Sequence, residues 1–491
     1  MPEPGTELYL SKDIRTLEQQ AGAGQLMEKA GMAVAELARD LLESHEDSIL
    51  IIAGPGNNGG DALVAARYLK QNWHKVTVVL IAEPSKLPTD AAVACDAWIT
   101  AGGSLHAHIP DYTRFGLVID GLFGIGLQRP LQGAYADIVS QINQLTCPIL
   151  SIDTPSGLDA DTGRILGAAV KASHTLTFLG LKPGLYTLEG PDHAGTILFS
   201  DLGVEADKFI ASPGRLLEQQ MFIPALPPRS RNSHKGTFGS VAVVGGSEGM
   251  TGAGLLSARA ALLIGSGRVY AGLLSDSAPL IDPLYPELML RRAAGLEQNV
   301  EASCAVVGPG LGRSSQARRS LETWLQQPVP LVLDADALQL IGMHAAIRSL
   351  LQKRSHAAVI TPHPGEAASL LGTSTAEIQQ DRIASALRLA HELRVSVVLK
   401  GAGTVCAEPN GDWYINTTGN PGLASAGTGD VLAGIIGGLI AQGLEASHAA
   451  RLGVYLHGAA ADALVAQGTG PVGLTASEIA LKSRELINQM A

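Results

Sequence analysis

The chain has 491 residues, more than one hydrophobic core usually supports, so we expect two or more domains. Its net charge of −11 argues against a general nucleic-acid-binding role, because phosphate backbones are bound by clustered Lys and Arg. Hydrophobic residues make up 46% of the chain, and 57 glycines and 26 prolines indicate many tight turns, so the composition favours two α/β domains.

The chain begins without a basic segment followed by an apolar one, so we expect no secretory signal. Two helical segments, roughly 11–21 and 24–43, precede the first strand. Apolar strands then alternate with glycine-rich or polar loops and helices. These strands are 48–54, 75–82, 115–121 and 148–155. Strands that are apolar on both faces are typical of a parallel sheet covered by helices.

The loop after the first strand reads "AGPGNNGGD" (53–61). Gly54, Gly56 and Gly59 match G-x-G-x-x-G between a strand and a helix, the fingerprint of dinucleotide binding. That template leaves Asn57, Asn58 and Asp61 unspecified. Their side-chain oxygens suggest a hard cation or a polar ring substituent as ligand.

Two more strand ends in this half carry oxygen-bearing side chains. "VIDGLFGIGLQRPLQG" (118–133) contains Asp120, and "SIDTPSGLDADTG" (151–163) contains Asp153 and Ser156. The alternative is that these are unrelated Asp-containing strand ends, which are common in α/β proteins. Their occurrence at consecutive strand ends of one domain favours a shared site.

A loose, proline-containing region places a domain boundary between about 205 and 228. A second α/β series follows, with strand-and-loop segments at 239–247, 304–312, 330–338, 357–366 and 395–404. An Asn-Gly turn within 405–415 predicts a hairpin. The apolar stretch 431–444 is too short to span a bilayer and suits a buried helix.

"AGTGD" (426–430), directly before that helix, is the strongest single signal. The backbone amides of Gly427, Thr428 and Gly429 would form an anion hole at a helix N-terminus, with Asp430 beside the reacting atoms. The alternative is a tight turn with Asp430 as the helix cap. Further glycine loops lie at 245–254, 308–312 and 400–404, and "HPGE" (363–366) ends another strand, so several would converge on one rim.

Four cysteines, Cys95, Cys147, Cys304 and Cys406, lie far apart without a C-x-x-C pair. We therefore expect neither a zinc site nor a disulfide framework, and reduced, mostly buried thiols in a cytoplasmic protein.

Together, "HKGTFGSVAVVGGSEGMTGAG", "GPGLG", "LDADAL", "TPHPGE", "LKGAGT" and "NPGLASAGTGDVLAGIIGGL" resemble the ribokinase-like, nucleotide-dependent dehydratases that repair hydrated NADH and NADPH. The resemblance covers nearly all of 225–491. It implies that Asp430 is the base that activates the substrate hydroxyl. The implied substrate contacts are Ala253, Gly310, Gly312, His363 and Asp430. The implied adenine-nucleotide contacts are Lys400, Gly401, Ala402, Gly403, Thr404 and Gly429.

The three oxygen-rich strand ends of the first half resemble the NAD(P)H-hydrate epimerases, over roughly 10–210. That resemblance implies a potassium ion held by Asn58, Asp120 and Ser156, with Asp153 as the proton-handling group. The implied substrate contacts are Asn57, Asn58, Gly59, Gly60, Asp61, Gly124, Ile125, Gly126, Leu127, Gln128, Arg129, Pro130 and Asp153.

The sequence therefore predicts a Rossmann-like three-layer α/β/α epimerase domain over 1–215. It predicts a ribokinase-like α/β dehydratase domain over 225–491 that uses Mg²⁺ and ADP or ATP. We expect hydrated NADH and NADPH as substrates, no nucleic-acid or membrane partner, and a homo-oligomer. Two alternatives are a ribokinase-like small-molecule kinase with an accessory N-terminal domain and a non-catalytic dinucleotide sensor.

Overall fold

The computed structural model describes residues 6–21, 23–44, 47–111, 114–225 and 229–490. The chain divides into two compact units, Met1–Arg215 and Leu216–Ala491. This division lies inside the 205–228 region, of which residues 226–228 are outside the described part of the chain.

The first unit alternates strands and helices. Its strands are β1 (Glu7–Leu8), β2 (Ser48–Ala53), β3 (Lys75–Leu80), β4 (Leu105–His106), β5 (Leu117–Gly121), β6 (Ile149–Ile152), β7 (His174–Phe178) and β8 (Thr196–Ser200). Its helices are α1 (Ser11–Ala21), α2 (Ala23–Leu41), α3 (Asn57–Gln71), α4 (Thr89–Thr100), α5 (Ala134–Gln144) and α6 (Gly190–Ala194). Helix α2 ends two residues before the predicted position, where a polar turn begins as the Ser44 amide donates to Asp47.

The sheet of this unit has the order β4-β3-β2-β5-β6-β7-β8, and all its neighbouring strands are parallel. Side chains of β2 point alternately to two cores. Ile49 and Ile51 pack against α1 to α4, whereas Leu50 and Ile52 pack against α5. Helices therefore cover both faces of the sheet, which confirms the predicted three-layer arrangement.

Strand order reverses direction at β2. Strands β3 and β4 lie on one side of β2, and β5 to β8 lie on the other. The loops that leave β2 and β5 therefore diverge and open a crevice at the carboxyl ends of these strands, where α/β sheets bind ligands.

The second unit has its own twisted sheet. Its strands are β10 (Ser240–Gly245), β11 (Arg268–Leu273), β12 (Met289–Arg292), β13 (Cys304–Val307), β14 (Leu331–Leu333), β15 (Ala358–Ile360), β16 (Ser396–Leu399), β17 (Thr404–Ala407) and β18 (Trp413–Asn416). A further short strand, β9 (Gly214–Leu216), begins in the first unit, where its residues 214 and 215 pair antiparallel with β1. The order β12-β11-β10-β13-β14-β15-β16 is parallel, and β17 and β18 continue it antiparallel.

Helices surround this sheet. They are α7 (Thr251–Leu263), α8 (Leu296–Asn299), α9 (Ser315–Leu325), α10 (Asp336–Met343), α11 (Ala345–Gln352), α12 (Pro364–Leu371), α13 (Thr375–Gln380), α14 (Arg382–Leu393), α15 (Thr428–Ala441), α16 (Ala446–Ala466) and α17 (Ala476–Met490). Short 3₁₀ turns lie at Pro84–Lys86, Pro183–Leu185, Ala206–Lys208, Gln219–Met221, Ile223–Ala225 and Pro421–Leu423.

Two local predictions are confirmed. Strands β17 and β18 form a hairpin whose loop turns at Gly411, with a φ of +99°. Helix α15 is buried along nearly all its length. Among the described residues, no helix is both long and apolar enough to cross a membrane. The four cysteines are free, and Cys147 is the partly exposed one.

Candidate active sites

The loop from β2 into α3 presses closely on the end of β5. A Cβ placed on Gly54 would lie 1.7 Å from the carbonyl oxygen of Leu122, and one on Gly59 would lie 2.1 Å from the Gly54 oxygen. No side chain fits at either position, so these glycines let the two strand ends meet. Helix α3 begins at Asn57, which places Asn57 and Asn58 in its first turn.

Asp120 is fully buried at the end of β5. Its carboxylate accepts hydrogen bonds from the Ser151 hydroxyl (2.8 Å), the Ser156 hydroxyl (2.6 Å) and the Ser156 amide (2.9 Å). Burial raises the pKa of Asp120 above its ordinary value, although these hydrogen bonds oppose the shift. The Ser156 hydroxyl also lies 3.1 Å from the carbonyl oxygen of Phe123, so several oxygens meet here.

Asp153 stands in a left-handed conformation, with a φ of +67°. Its Oδ1 accepts from Lys182 Nζ at 2.5 Å, and its Oδ2 accepts a long bond of 3.4 Å from the Ile125 amide. Lys182 Nζ also donates to Thr177 Oγ1 (2.9 Å) and to the Phe178 carbonyl (2.6 Å). This lysine was not predicted as a site residue, because in "LGLKPGLY" (179–186) it is a lone cation in an apolar run.

A cavity of about 510 Å³ lies between these loops. Most of the predicted epimerase residues line it, and they are Asn57, Asn58, Asp61, Gly124, Ile125, Gly126, Leu127 and Asp153. Five predicted contacts do not line it. Gly59 and Gly60 are buried behind the wall, while Gln128, Arg129 and Pro130 are exposed farther along their loop.

The cavity wall also carries Arg15 and Glu18 of α1, which sequence reasoning missed. Burial raises the pKa of Glu18, and the Asp153 carboxylate adds to this, while Lys182 and Arg15 oppose it. Burial likewise raises the pKa of Asp61 well above its ordinary range, and Asp153 and Glu18 add to the shift. These three carboxyl groups line the cavity together with a fourth, that of Asp90.

In the second unit, α15 begins directly after Gly427, whose φ is +89°. The Thr428 hydroxyl donates to the carbonyls of Leu423 and Ser425, and the Thr428 carbonyl lies 2.9 Å from His457 Nε2. The first backbone amides of a helix have no partner within it, so those near 427–429 form a donor surface. Since Gly427 is the cap, the alternative in which Asp430 caps the helix is wrong.

His457 is a second functional candidate that the sequence did not indicate. It is buried on α16, and burial lowers the pKa of its imidazole to about 4. The ring is therefore neutral at pH 7, and Nε2 donates a proton to the Thr428 carbonyl. His457 fixes the first turn of α15 from behind.

Lys400 leaves the end of β16 and reaches Asp334 at the end of β14. Lys400 Nζ lies 2.9 Å from Asp334 Oδ1, which also accepts from the Thr361 hydroxyl at 2.8 Å. A Cβ on Gly429 would lie 3.3 Å from Lys400 Nζ. The predicted nucleotide contacts Lys400 and Gly429 are thus neighbours, although 29 sequence positions separate them.

Asp430 faces a concentration of negative charge. Burial raises the pKa of Asp430 to about 7, and the carboxylates of Asp334, Asp336 and Glu366 add to this while Lys400 opposes it. Burial lowers the pKa of Lys400, but Asp334 and Glu366 outweigh burial and raise it overall. A carboxyl group that titrates near neutral pH beside a helix N-terminus can accept a proton during a reaction.

His363 is the N-terminal cap of α12. Its Nδ1 accepts from the amides of Gly365 (3.0 Å) and Glu366 (3.3 Å), and Glu366 Oε2 accepts from the His363 amide (2.8 Å). This reciprocal pattern is a capping box, so the structural role that a lone histidine often has applies here. Nε2 lies 3.4 Å from Glu366 Oε1, but the imidazole is still 56% exposed, so part of the ring is accessible to a ligand.

The other predicted dehydratase contacts lie on the loop after β13. Gly310 has a φ of +58°, and a Cβ placed on it would lie 3.0 Å from the Cβ of Ala253. The Gly312 amide donates to Asp336 Oδ2 at 2.8 Å. The loop therefore connects α7 to the carboxylates around Asp430.

The segment Lys400–Thr404 is supported from below by Arg382, which is 2% exposed. A Cβ on Gly401, whose φ is +146°, would lie 2.7 Å from both terminal guanidinium nitrogens. Arg382 donates to the Leu399 carbonyl at 3.2 Å, and burial lowers its pKa to about 10. Gly401 and Ala402 are exposed above it, as a loop that binds a ligand must be.

Two protein families match the chain. Residues 241–484 match the family described as NAD(P)H-hydrate dehydratase, and residues 23–184 match the one described as YjeF-related protein N-terminus. A bifunctional NAD(P)H-hydrate repair enzyme of Coxiella burnetii is 38% identical over 98% of this chain and 100% of its own length. One of Escherichia coli is 37% identical over 98% of this chain and 94% of its own length.

Solved structures resemble the second unit. An ADP/ATP-dependent NAD(P)H-hydrate dehydratase from Bacillus subtilis, co-crystallised with ATP and Mg²⁺, is 31% identical with a TM-score of 0.51, covering 56% of this chain and 98% of that one. A ribokinase-like superfamily protein from Enterococcus faecalis is 29% identical with a TM-score of 0.51, covering 58% and 98%. The predicted ribokinase-like fold is confirmed. The chain belongs to the bifunctional NAD(P)H-hydrate repair enzymes.

Proposed function

We propose that the first unit interconverts the R and S epimers of hydrated NADH and NADPH and that the second dehydrates the S form with ADP or ATP. The observation that carries this proposal is the placement of Asp430. Its carboxyl group titrates near pH 7 beside the donor surface of α15, next to the neighbouring pair Lys400 and Gly429. A proton acceptor and an anion-binding helix end are what phosphoryl transfer to a hydroxyl requires.

The dehydration then has two steps. Asp430 takes the proton of the C6 hydroxyl group while the oxygen of that hydroxyl attacks the terminal phosphoryl group of the nucleotide. A P–O bond to the substrate forms, and the P–O bond to the departing nucleotide breaks. Phosphate next leaves as the C6–O bond breaks, and loss of a proton from C5 restores the ring double bond. The α15 amides and Lys400 stabilise the negative charge on the transferred group. Mg²⁺, when bound with the nucleotide, would neutralise phosphate charge.

For the first unit we propose potassium as a bound ion, held by Asn58, Asp120 and Ser156. The donor set fits a hard cation, because a buried carboxylate, a hydroxyl group and the nearby Phe123 carbonyl are all oxygen ligands. The side-chain oxygen of Asn58, the atom that would ligate the ion, faces the loop after β5, where it lies 3.2 Å from the position of a Cβ placed on Gly124. Epimerisation should slow when tetramethylammonium replaces potassium; an unchanged rate would reject the ion.

One experiment tests both activities. Purified protein is incubated with acid-hydrated NADH, Mg²⁺ and either ADP or ATP, and the recovery of reduced-nicotinamide absorbance is followed. No recovery with either nucleotide rejects the dehydratase. Phosphorylation of a vitamin precursor or sugar in its place would support the kinase alternative, and binding without turnover would support a sensor.

Two variants separate the units. We expect Asp430→Asn to abolish recovery and leave the interconversion of isolated epimers intact, because a general base typically contributes about 10²–10⁴-fold. Asp153→Asn should do the reverse. If Asp430→Asn stopped both reactions, the assignment of two independent sites would be wrong. A cytoplasmic location and a homo-oligomeric state remain predictions from the sequence.

A further inference from the structure

The two oxygens of Asp153 have different surroundings. Oδ1 is bound to Lys182 Nζ at 2.5 Å, and the lysine side chain is 0% exposed. Oδ2 accepts a bond of 3.4 Å from the Ile125 amide and lies 3.1 Å from where a Cβ on Gly124 would stand, on the cavity wall. One oxygen is therefore fixed, and the other is available to a ligand.

Lys182 itself cannot serve the ligand. An ammonium group has three donors, and here all three are used by Asp153 Oδ1, Thr177 Oγ1 and the Phe178 carbonyl. These three hydrogen bonds hold the buried ammonium group in place. It acts on the reaction through Asp153 alone.

The other carboxyl groups of the cavity differ in whether nearby cations oppose the rise of their pKa. Glu18 has the cations Arg15 and Lys182 to oppose its pKa rise. For Asp61, burial and the carboxylates of Asp153 and Glu18 all act in the same direction, and no cation opposes them. The surroundings of Asp61 therefore favour its protonated form. Asp90 of α4 also lines the cavity, so the charged groups here come from α1, α3, α4 and the loop after β6.

We propose that Lys182 is the positioning residue of the epimerase site, fixing Asp153 as the proton acceptor through its Oδ1, and that Asp61 is the proton donor. The inference rests on the proposed epimerase function. Asp61 gives its proton to the C6 hydroxyl, the C6–O bond breaks, water leaves, and the N1 lone pair forms a C6=N1 bond. Water then adds to the opposite face, the electron pair returns to N1, and Asp153 takes the released proton. No redox partner is required.

The test is the pH dependence of epimerisation, measured from pure S epimer by separating R from S. Lys182→Met removes the cation and favours a protonated Asp153. The acidic limb of the kcat/KM profile should move about 1–3 pH units higher, as expected for loss of an opposite charge in contact. Thr177→Val removes one hydrogen-bond partner of the Lys182 ammonium but no charge. The acidic limb of the kcat/KM profile of this variant should therefore lie at the same pH as in the unaltered protein. Lys171→Met, at an exposed lysine of the same unit, should change nothing.

A limb that stays in place in Lys182→Met, whatever the loss of rate, overturns the proposal. If this variant does not fold, ¹³C-carboxyl spectra of the unaltered protein decide, with signals assigned by Asp153→Asn and Asp61→Asn. As the pH is raised, the Asp153 signal should become that of a carboxylate before the Asp61 signal does; the reverse order overturns the proposal. Failure of the proposed function would differ, because the unaltered protein would then not interconvert the epimers at all.

Discussion

Both units place a lysine–carboxylate pair at the carboxyl ends of parallel strands, but the two pairs have different surroundings. In the first unit, Lys182 meets Asp153 at 2.5 Å and is 0% exposed. In the second, Lys400 meets Asp334 at 2.9 Å and is 22% exposed. The first lysine has no donor left for a ligand, whereas the second reaches the rim beside Gly429. The pair is therefore closed to a ligand in the first unit, whereas in the second unit the lysine is partly exposed, as our proposal that it contacts the nucleotide requires.

The units also treat their proton acceptors differently. Asp153 is bound directly to a cation, but Asp430 stands among Asp334, Asp336 and Glu366, which add to the rise of its pKa to about 7. An isomerase returns its substrate without a second reactant, so a fixed charge suffices. A phosphoryl transfer brings additional negative charge into the site, and a carboxyl group with a pKa near 7 binds the proton of the substrate hydroxyl more readily than an ordinary aspartate does.

The largest expected contrast is in pH dependence. Asp430 must be ionised to accept a proton, so dehydration should fall about tenfold per pH unit below pH 7, roughly 100-fold by pH 5. Asp336→Asn removes a like charge and should move this limb to lower pH, while its amide oxygen can still accept from Gly312. Initial rates on S epimer from pH 5 to 9 measure both. If the rates of dehydration and epimerisation fell at the same pH, the two units would not differ in their pH dependence.

A second prediction compares two glycines of the first unit. Gly54→Ala would put a methyl group 1.7 Å from the Leu122 oxygen, so the β2 and β5 ends must separate. We expect epimerisation to fall about 100-fold, as displacements near 1 Å can cause. Gly56→Ala meets nothing within 4 Å and should keep the melting temperature of the parent. Equal melting temperatures for the two variants would contradict the close approach of Gly54 to Leu122. The dehydration rate of the second unit serves as the internal control and should not change.

A smaller effect is expected at His457. Its neutral ring donates to the Thr428 carbonyl, so His457→Phe should lower dehydration about tenfold and cost roughly 1–3 kcal/mol, the usual penalty for a buried unpaired acceptor. His457→Gln keeps a donor and should recover part of both losses. Denaturant unfolding and steady-state rates provide the measurement. Equal behaviour of Phe and Gln would mean that the hydrogen bond does not support α15.

The smallest effect concerns stability. The pKa of Asp430 is about 7 in the folded protein against 3.8 as its ordinary value, so the stability it contributes is complete below pH 4 and lost as pH rises through 7. The asparagine of Asp430→Asn does not titrate, so between pH 5 and pH 8 this variant should be more stable than the parent. Each kcal/mol of added stability should raise the melting temperature by about 2–4 °C. A variant that gains nothing at pH 8 would show that Asp430 is not penalised by its neighbours.

The sequence predicts most of the fold because strand and helix patterns are local. Apolar runs such as 48–52, the glycine loops and the hairpin turn each act within a few residues. The missed residues act over long separations. Lys182 bonds Asp153 across 29 positions, and His457 bonds Thr428 across 29. A single buried lysine or histidine has no local pattern, so its partner is visible only after the strands are arranged.

The same limit applies within the predicted sites. Glycine and asparagine at 54–58 indicate a ligand loop, but they do not reveal that Gly59 and Gly60 face the core and not the cavity. Likewise, "HPGE" suggests a histidine near a ligand without revealing that His363 also caps α12. Which side of a loop faces a ligand depends on the helix that packs against it.

The left-handed backbone of Asp153 has a consequence for anyone who engineers this protein. A non-glycine residue at a φ of +67° carries a conformational cost that glycine would relieve. Relieving that cost with Asp153→Gly should nevertheless lower the melting temperature, because the buried Lys182 ammonium would lose the carboxylate that compensates its charge.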